Sequence, residues 1–258
     1  MASQQEVDCI VKGIELSWTT WGSMRGEQLV LGEVSYVKSE NGEGIERIFA
    51  VNIGANQESR IEQMIADVKE KRLPDSILIT PYTKPENLAE ILTQKGFLID
   101  DAAPCMMMEL DDYEEKPVEY AGFTISEVTE KGQLTEWLAI VSEALFGCEL
   151  VKPEQMADAL ALDSTRFYMG ALDGKPVTAC MTIAGGGTSV LEMVATLEEY
   201  RRKGFASAAI GKALADLREQ GIPTVSLRAE ADGVGVYRKL GFSECFRRVV
   251  ATYEWKNT

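Results

Sequence analysis

The sequence predicts an α+β protein built from two similar domains, and three observations support this prediction. Runs rich in β-forming residues alternate with segments of helical periodicity along the whole chain. The segment 111–117 combines acidic residues with a proline and has little apolar content, which is typical of a linker. The part before this segment also matches the part after it in pattern when it is shifted by about 145 residues. We therefore expect one domain at residues 1–117 and a second at residues 118–258.

The first part contains the pattern of a hairpin followed by helices and strands. Two β-rich runs at 27–37 and 45–53 flank Asn41-Gly42-Glu43-Gly44, a turn sequence that predicts a β-hairpin. Apolar residues then recur at helical spacing from Ile61 to Val68. The remaining patterns predict a strand at 76–80, a helix at 85–95 that Gly96 ends, and a strand at 105–110.

The second part opens with a strand and a helix and continues with another hairpin. A strand is predicted at 123–128, and an apolar stripe from Leu134 to Leu145 predicts a helix. Asp173-Gly174, which lies between two β-rich runs, is a strong hairpin signal. The remaining patterns predict a helix at 153–162, hairpin strands at 167–171 and 177–183, and strands at 191–196 and 224–228 that each lead into a helix.

The stretch 191–206 carries the clearest chemical signal. An apolar strand pattern ends at Thr196, three cations follow at Arg201, Arg202 and Lys203, and Gly204 precedes a helical pattern. The first N–H groups of a helix have no partners and lie at the positive end of its dipole, so a small residue there lets a phosphate approach. The sequence therefore predicts an anion site at this helix start. The alternative is a solvated helix start with surface arginines.

The order of the elements and four short motifs resemble the acetyl-CoA-binding core of the GNAT family of N-acetyltransferases. The motifs are Val194-Ala195-Thr196, Tyr200-Arg201, the Arg-x-x-Gly-x-Ala sequence from Arg201 to Ala206, and the Tyr-x-x-x-Gly-Phe sequence from Tyr237 to Phe242. The resemblance covers residues 123–255. Together with the repeat, it implies tandem GNAT-like acyl-CoA N-acyltransferase domains, each with a mixed central sheet flanked by helices. It also implies that acetyl-CoA is the cosubstrate.

The resemblance assigns roles to individual residues. Backbone amides around Arg202, Lys203, Gly204, Phe205 and Ala206 would hold the pyrophosphate, and the side chains of Arg201 and Arg202 would add positive charge. Val194, Ala195 and Thr196 would form the cofactor strand, which separates locally from its neighbour so that the Val194 N–H can face the thioester carbonyl. Tyr237 would donate a proton to the departing thiolate; alternatively, its ring packs on the sheet and its hydroxyl has a structural partner.

The general base is less defined. Glu192 lies in the cofactor strand, and regular alternation would place it on the same face as Val190 and Val194. It could accept the amine proton through water, bind a cationic substrate or face solvent. Since an unpaired buried carboxylate is costly, we expect Glu192 to face a polar cleft or a partner. Glu149 and Glu230 are weaker candidates.

The chain departs from the family pattern at several positions. Glu198 stands where a proline is usual, Arg202 replaces a frequent glycine, and Arg228-Ala229-Glu230 occupies the place of an expected Asn or Ser contact. In the first part, the counterparts of Arg201, Gly204, Ala206 and Tyr237 are Asn56, Ser59, Ile61 and Leu92. We therefore expect a degenerate first domain and one acetyl-CoA site in the second. Coincidence between two generic patterns is the alternative to a repeat.

Composition limits the partners. The net charge of −15 argues against nucleic acid and anionic membrane surfaces, and it is compatible with a cationic amine, although acidity also serves solubility. The absence of histidine excludes Ser-His and Cys-His mechanisms, and we expect no metal site. Five dispersed cysteines without a CxxC pair, together with the lack of a signal or membrane-spanning pattern, favour free thiols in the cytoplasm.

The combined prediction is an N-acetyltransferase that moves an acetyl group from acetyl-CoA directly to a primary amine of a small molecule or peptide. The competing class is a non-catalytic acyl-CoA-binding regulatory module, which would need the phosphate loop but neither Tyr237 nor a base. The sequence is compatible with a homodimer but does not define the oligomeric state.

Overall fold

The structure is a computed structural model that describes residues 2–24, 28–39, 46–54, 57–100, 102–114, 120–148 and 153–255. Contacts divide the chain into two compact units. The first unit comprises Met1–Cys105, Ala229–Ala231 and Glu244–Thr258, and the second comprises Met106–Arg228 and Asp232–Ser243. The C-terminal residues 244–258 thus belong to the first unit, whereas a single boundary at 117/118 would place them in the second domain. Domains at 1–117 and 118–258 remain a prediction.

Within the described residues, the first unit contains three helices, strands β1 to β5, the start of β6 and nearly all of β12. Its elements are α1 (Gln4–Met24), β1 (Gln28–Val30), β2 (Val34–Lys38), β3 (Arg47–Val51), α2 (Glu58–Lys69), β4 (Ser76–Ile79), α3 (Leu88–Gln94), β5 (Leu98–Ile99), the start of β6 (Ala103–Glu109), and β12 (Ser243–Thr252).

The strands of the first unit follow the order β1-β2-β3-β4-β12, with β5 also paired to β12. Strand β3 runs parallel to β4, and the other pairs are antiparallel. The predicted antiparallel pairing across 41–44 is confirmed for β2 and β3, although that turn sequence lies outside the described residues. The predicted single strand at 27–37 was wrong, because this run is divided into β1 and β2, which pair antiparallel with each other. Buried apolar side chains of α2, α3 and the central strands form one core, in which Ile48, Ile77, Val68 and Ala251 are fully enclosed.

Helix α1 was not predicted. Its buried side chains include Ile10, Ile14, Trp18 and Trp21, which recur every three or four residues and hence lie on one face. This periodicity is readable in the sequence, so the omission is an error of interpretation. Within the described residues, no helix is both long enough and apolar enough to cross a membrane.

Within the described residues, the second unit contains four α-helices, several shorter helical turns, strands β7 to β11 and the end of β6. Its elements are β7 (Phe123–Glu127), α4 (Lys131–Val141), a π-helical turn (Ser142–Phe146), α5 (Pro153–Met156), a 3-10 turn (Ala157–Ala161), β8 (Thr165–Leu172), β9 (Lys175–Gly185), β10 (Thr188–Thr196), a 3-10 turn (Glu198–Tyr200), α6 (Phe205–Glu219), β11 (Thr224–Arg228) and α7 (Val234–Leu240).

The strands of the second unit follow the order β6-β11-β10-β9-β8-β7. Strands β7 to β10 pair antiparallel, whereas β10 and β11 are parallel, so the sheet is mixed. The predicted hairpin of β8 and β9 is confirmed. Asp173 and Gly174 have φ values of 50° and 80°, which are the left-handed conformations that a two-residue hairpin turn requires.

The two units repeat one sequence of elements. In each, a helix precedes three antiparallel strands, the third strand leads through a helix to a parallel partner, and another short helix follows. Both short helices, α3 and α7, end at a glycine in the left-handed region, Gly96 with φ 91° and Gly241 with φ 106°. The structure therefore supports the internal repeat inferred from the sequence.

The start of the predicted linker packs against a helix. Leu110–Asp112 forms a 3-10 turn, and the Tyr113 side chain is buried. The Tyr113 hydroxyl donates to the Gly211 carbonyl oxygen at 3.5 Å, and Arg218 Nη1 donates to the Tyr113 carbonyl oxygen at 3.3 Å. Residues 111–113 are therefore attached to α6, while residues 115–119 lie outside the described part of the chain.

Candidate active site

Strand β10 contains a β-bulge in the middle of the predicted cofactor strand. Its antiparallel register with β9 passes from Glu192↔Met181 directly to Ala195↔Ala179, so Met193 and Val194 together oppose the single residue Cys180. Met193 has φ 51°, a left-handed conformation that is uncommon for a residue with a side chain. Because such strain persists only where the surrounding structure imposes it, the bulge is a candidate functional feature.

The ladder between β10 and β11 ends before the bulge is reached. Their parallel ladder contains only Ser189↔Val225 and Val190↔Ser226, although β10 continues to Thr196. The backbone edge of β10 that follows Val190 is therefore not paired with β11. The ladder therefore ends in the region where the sequence resemblance implied that the two strands separate.

The residue opposite the bulge is held by helix α4. Trp137 is fully buried, its ring packs edge to face on Phe167 at 5.0 Å between centroids, and its Nε1–H donates to the Cys180 carbonyl oxygen at 3.0 Å. Burial also raises the pKa of the Cys180 thiol to about 12. Cys180 is therefore a packing residue, because a nucleophilic cysteine must ionise near neutral pH.

The loop after β10 presents free backbone donors. Gly204 has φ 87° and precedes α6, whose first hydrogen bond joins the Ala208 N–H to the Gly204 carbonyl oxygen at 3.0 Å. The N–H groups of Phe205, Ala206 and Ser207 consequently have no partner within the helix. Arg202 is also left-handed, with φ 61°, which turns the chain into the helix. The loop has the geometry expected of an anion site.

Aromatic packing fixes the start of α6. The Phe205 side chain is buried and stacks on Phe123 of β7 at 4.5 Å between ring centroids, and Tyr120 packs on its edge at 5.1 Å. The free N–H groups therefore belong to a rigid helix end.

The three predicted cations have different environments. Arg201 donates from Nε to the Thr196 carbonyl oxygen at 3.0 Å and from Nη2 to the Ala144 carbonyl oxygen at 3.2 Å. Lys203 donates to the Glu199 carbonyl oxygen at 2.9 Å and lies over the Tyr200 ring. Arg202 is exposed. Arg201 is thus partly committed to the protein backbone, which the sequence did not indicate.

Tyr237 lies in α7 and is mostly buried, with 8% of its surface exposed. Its ring packs edge to face on Phe242 at 5.9 Å between centroids, and its carbonyl oxygen accepts from the Phe242 N–H at 3.0 Å. This packing fixes the ring, so the hydroxyl has a defined position. Its role as a general acid remains a prediction.

Glu192 forms a buried ion pair with Arg228. The two side chains are only 10% and 17% exposed, and they connect β10 to β11 two residues beyond the last ladder pair. The expectation that Glu192 needs a partner or polar cleft is met by Arg228, which the sequence had singled out only as a departure from the family pattern. The prediction that Glu192 and Val194 share one face of the sheet relied on regular alternation along β10. The bulge between Glu192 and Ala195 interrupts this alternation.

The weaker base candidates lie elsewhere. Glu149 is outside the described residues. Glu230 is exposed, belongs to the first unit and lies 3.7 Å from Arg248 Nη2. In the described part of the chain, no cluster of three or more Cys, Asp or Glu side chains is arranged to hold a metal ion.

A cleft of about 450 Å³ opens beside the π-helical turn. Among the described residues, its wall is mostly apolar or small and carries one carboxylate, at Glu143. The lining residues are Thr135, Leu138, Ala139, Ser142, Glu143, Gly147, Cys148 and Pro153.

Comparison with known proteins shows a GNAT fold, which is the fold of acyl-CoA-dependent N-acyltransferases in general. Residues 133–242 match the model of the Acetyltransferase (GNAT) family, so the chain carries a GNAT acetyltransferase domain. No curated protein matches the chain.

Solved structures share the fold of the whole chain. A GCN5-related N-acetyltransferase from Kribbella flavida aligns with a TM-score of 0.72 and 20% identity over 95% of this chain and 96% of that one. A tandem GNAT protein from the clavulanic acid biosynthesis pathway aligns with a TM-score of 0.63 and 15% identity over 87% and 79%. A GCN5-related N-acetyltransferase from Sphaerobacter thermophilus aligns with a TM-score of 0.63 and 18% identity over 88% and 82%. The predicted α+β fold with tandem GNAT-like domains is confirmed.

Proposed function

We propose that the protein is an acetyl-CoA-dependent N-acetyltransferase that transfers the acetyl group directly to a primary amine of a small molecule or peptide. The observation that carries the proposal is the end of the β10–β11 ladder at Val190, before the bulge at Met193 and the loop at Gly204. This arrangement provides a slot for an extended thioester and an anion site at its end.

The cofactor side of the proposed site is mainly backbone. The N–H groups of the loop from Arg202 to Ala206 bind the pyrophosphate; those of Phe205 and Ala206 have no partner within the helix and lie at the positive end of α6. The Val194 N–H, in the bulge and on the strand with an open edge, donates to the thioester carbonyl as negative charge develops there. Removing one such preorganised donor typically raises the activation free energy by about 3–4 kcal/mol. Ala195 and Thr196 complete the strand segment that binds the extended cofactor.

Two side chains donate and accept the protons of the proposed reaction. The acceptor amine loses a proton as it attacks the carbonyl, and the leaving thiolate gains one. Tyr237 donates to the thiolate, because an ordinary phenol is protonated at neutral pH. Glu192 is the carboxylate beside the opening between the strands. Arg228 fixes its position, so that it accepts the amine proton through water or holds the ammonium before that proton leaves.

The acceptor is proposed to enter through the cleft at the π-helical turn. Its apolar wall accommodates the hydrocarbon part of an amine, and Glu143 supplies a negative charge for the ammonium group. The net charge of −15 would also attract a cation over longer distance.

The reaction is tested by following release of free thiol from acetyl-CoA with a panel of primary amines, including polyamines, amino sugars and peptides with a free N-terminus. Thiol release that depends on one of these amines, with a matching acetylated product by mass spectrometry, is the expected result. Acetyl-CoA binding without thiol release from any amine would remove the catalytic proposal.

Tyr237→Phe is expected to lower kcat by about 100-fold, the lower end of a general acid's contribution, while acetyl-CoA affinity changes little. The phenyl ring keeps the packing on Phe242, and only the proton donor is lost. The matched control is Tyr253→Phe, which removes a hydroxyl from another packed tyrosine outside the proposed site, whose ring lies at a tilted angle to Phe97 at 5.2 Å between centroids. Equal turnover by Tyr237→Phe and the control would disprove the general-acid assignment.

One observation favours the competing class of acyl-CoA-binding regulatory module. The Glu192 carboxylate is already paired with Arg228, so the chain offers no unpaired base at this position. A regulatory module would bind acetyl-CoA through the same loop, and Tyr237→Phe would leave its ligand affinity intact. Measured turnover separates the two classes.

A further inference from the structure

The side chain of Arg201 joins two elements of the proposed acetyltransferase site. Its Nε–H donates to the carbonyl oxygen of Thr196, the last residue of β10, at 3.0 Å. Its Nη2–H donates to the carbonyl oxygen of Ala144, in the π-helical turn, at 3.2 Å. One guanidinium therefore connects the end of the cofactor strand to a turn whose Ala144 lies 57 residues before Arg201 in the chain.

The π-helical turn has a reason to need this donor. The last carbonyl groups of a helix have no partner within it, and Ala144 lies three residues before Gly147, which ends the turn with φ 64°. A π-helical turn is a rare geometry that is often found at functional sites. The Arg201 bond gives one of these terminal carbonyls a partner and holds the turn against β10.

The position of the turn connects this contact to the acceptor. Ser142, Glu143 and Gly147 line the cleft, while Arg201 itself leads into the loop at Gly204. Arg201 thus lies between the loop proposed to bind pyrophosphate and the cleft proposed to bind the amine.

We infer that Arg201 is a positioning residue that couples acetyl-CoA binding at the loop to the order of the acceptor cleft. The inference rests on the proposed function. A ligand that fixes the loop also fixes the Arg201 backbone, and the two carbonyl bonds transmit this restraint to the turn 142–146.

Two roles for Arg201 give different results when it is replaced. If the guanidinium mainly binds phosphate, its loss lowers acetyl-CoA affinity and leaves the turn unchanged. If it mainly positions the turn, its loss loosens residues 142–147 and affects affinity less. Arg202→Met is the matched control, because Arg202 is the neighbouring exposed cation and bonds neither carbonyl.

Hydrogen–deuterium exchange of the full chain tests the inference, with and without saturating acetyl-CoA. In the free protein, Arg201→Met should raise the exchange rate of amides 142–147 by about tenfold, which corresponds to the loss of one or two hydrogen bonds. Arg201→Lys should fall between Arg201→Met and the parent, since an ammonium lacks the planar fork that reaches both carbonyls. Arg202→Met should leave these amides unchanged.

The ligand-bound samples separate coupling from direct contact. Acetyl-CoA should slow exchange at 142–147 in the parent and in Arg202→Met, and this protection should be lost in Arg201→Met at saturating ligand. Unchanged exchange at 142–147 in Arg201→Met, or a rise spread evenly over the second unit, would overturn the inference. If the parent does not bind acetyl-CoA, the proposed function fails, and the free-protein comparison still decides whether Arg201 positions the turn.

Discussion

Gly204→Asp is expected to weaken acetyl-CoA binding by about 100-fold or more, because the new carboxylate would occupy the proposed anion site. A side-chain carboxylate at the residue before a helix accepts hydrogen bonds from the first N–H groups. Those groups include the N–H groups of Phe205 and Ala206, which are proposed to bind the pyrophosphate. The phosphate would therefore lose its donors and also meet a like charge. Calorimetric titration of the folded variant measures the loss.

Gly221→Asp is the matched control for this substitution. Gly221 follows the other end of α6, has φ 73°, and a Cβ there would contact nothing within 4 Å. Both variants incur the cost of placing a side chain in the left-handed region, about 1–2 kcal/mol, so both lower thermal stability. Only Gly204→Asp should lose acetyl-CoA. Similar affinities for the two variants would show that the loop is not the phosphate site.

Removal of β12 is expected to unfold the first unit. A chain that ends at Ser243 lacks the strand that pairs with β4 from Val249↔Ile79 to Thr252↔Ser76. It also lacks Ala251, which is fully buried in the core, and Trp255, whose indole N–H lies 3.2 Å from the Lys69 carbonyl oxygen at the end of α2. The combined loss should be on the order of 5 kcal/mol or more, comparable to the whole stability of a small domain.

Urea unfolding followed by circular dichroism and hydrogen exchange measures the effect of this truncation. Amides of β4 should lose their protection in the chain that ends at Ser243. A chain that ends at Trp255 is the control and should keep that protection. Intact β4 protection in the shorter chain would instead support residues 1–117 as a complete folding domain, the division predicted from the sequence.

The sequence predicted the elements well where the pattern is local. The hairpin turn at Asp173-Gly174 and the helix stripe through Leu134 and Trp137 have short-range causes, namely left-handed turn residues and apolar periodicity. By contrast, the apolar run 191–196 reads as a regular strand, and nothing in its composition indicates the bulge at Met193. A bulge depends on the register with the neighbouring strand, which is a long-range property.

The candidate site was predicted in part for the same reason. Gly204 and the helix start after it were readable, because a helix N-terminus is a local feature. The Glu192–Arg228 pair and the bond from Arg201 to Ala144 join residues far apart in sequence. The cost of burying an unpaired carboxylate predicts that Glu192 needs a partner or a polar cleft, but it does not indicate which residue that partner is. Likewise, the pairing of β12 with β4 joins residues far apart in sequence, so no local pattern indicates the unit whose sheet β12 completes.

Calorimetric titration of the unmodified protein with acetyl-CoA, and separately with CoA, tests the central claim most directly. Saturable binding of both ligands is expected with one molecule per chain, because the Gly204 loop and the early end of the β10–β11 ladder both belong to the second unit. Absence of binding would contradict the acetyltransferase proposal, and binding of two molecules per chain would contradict the assignment of a degenerate first domain.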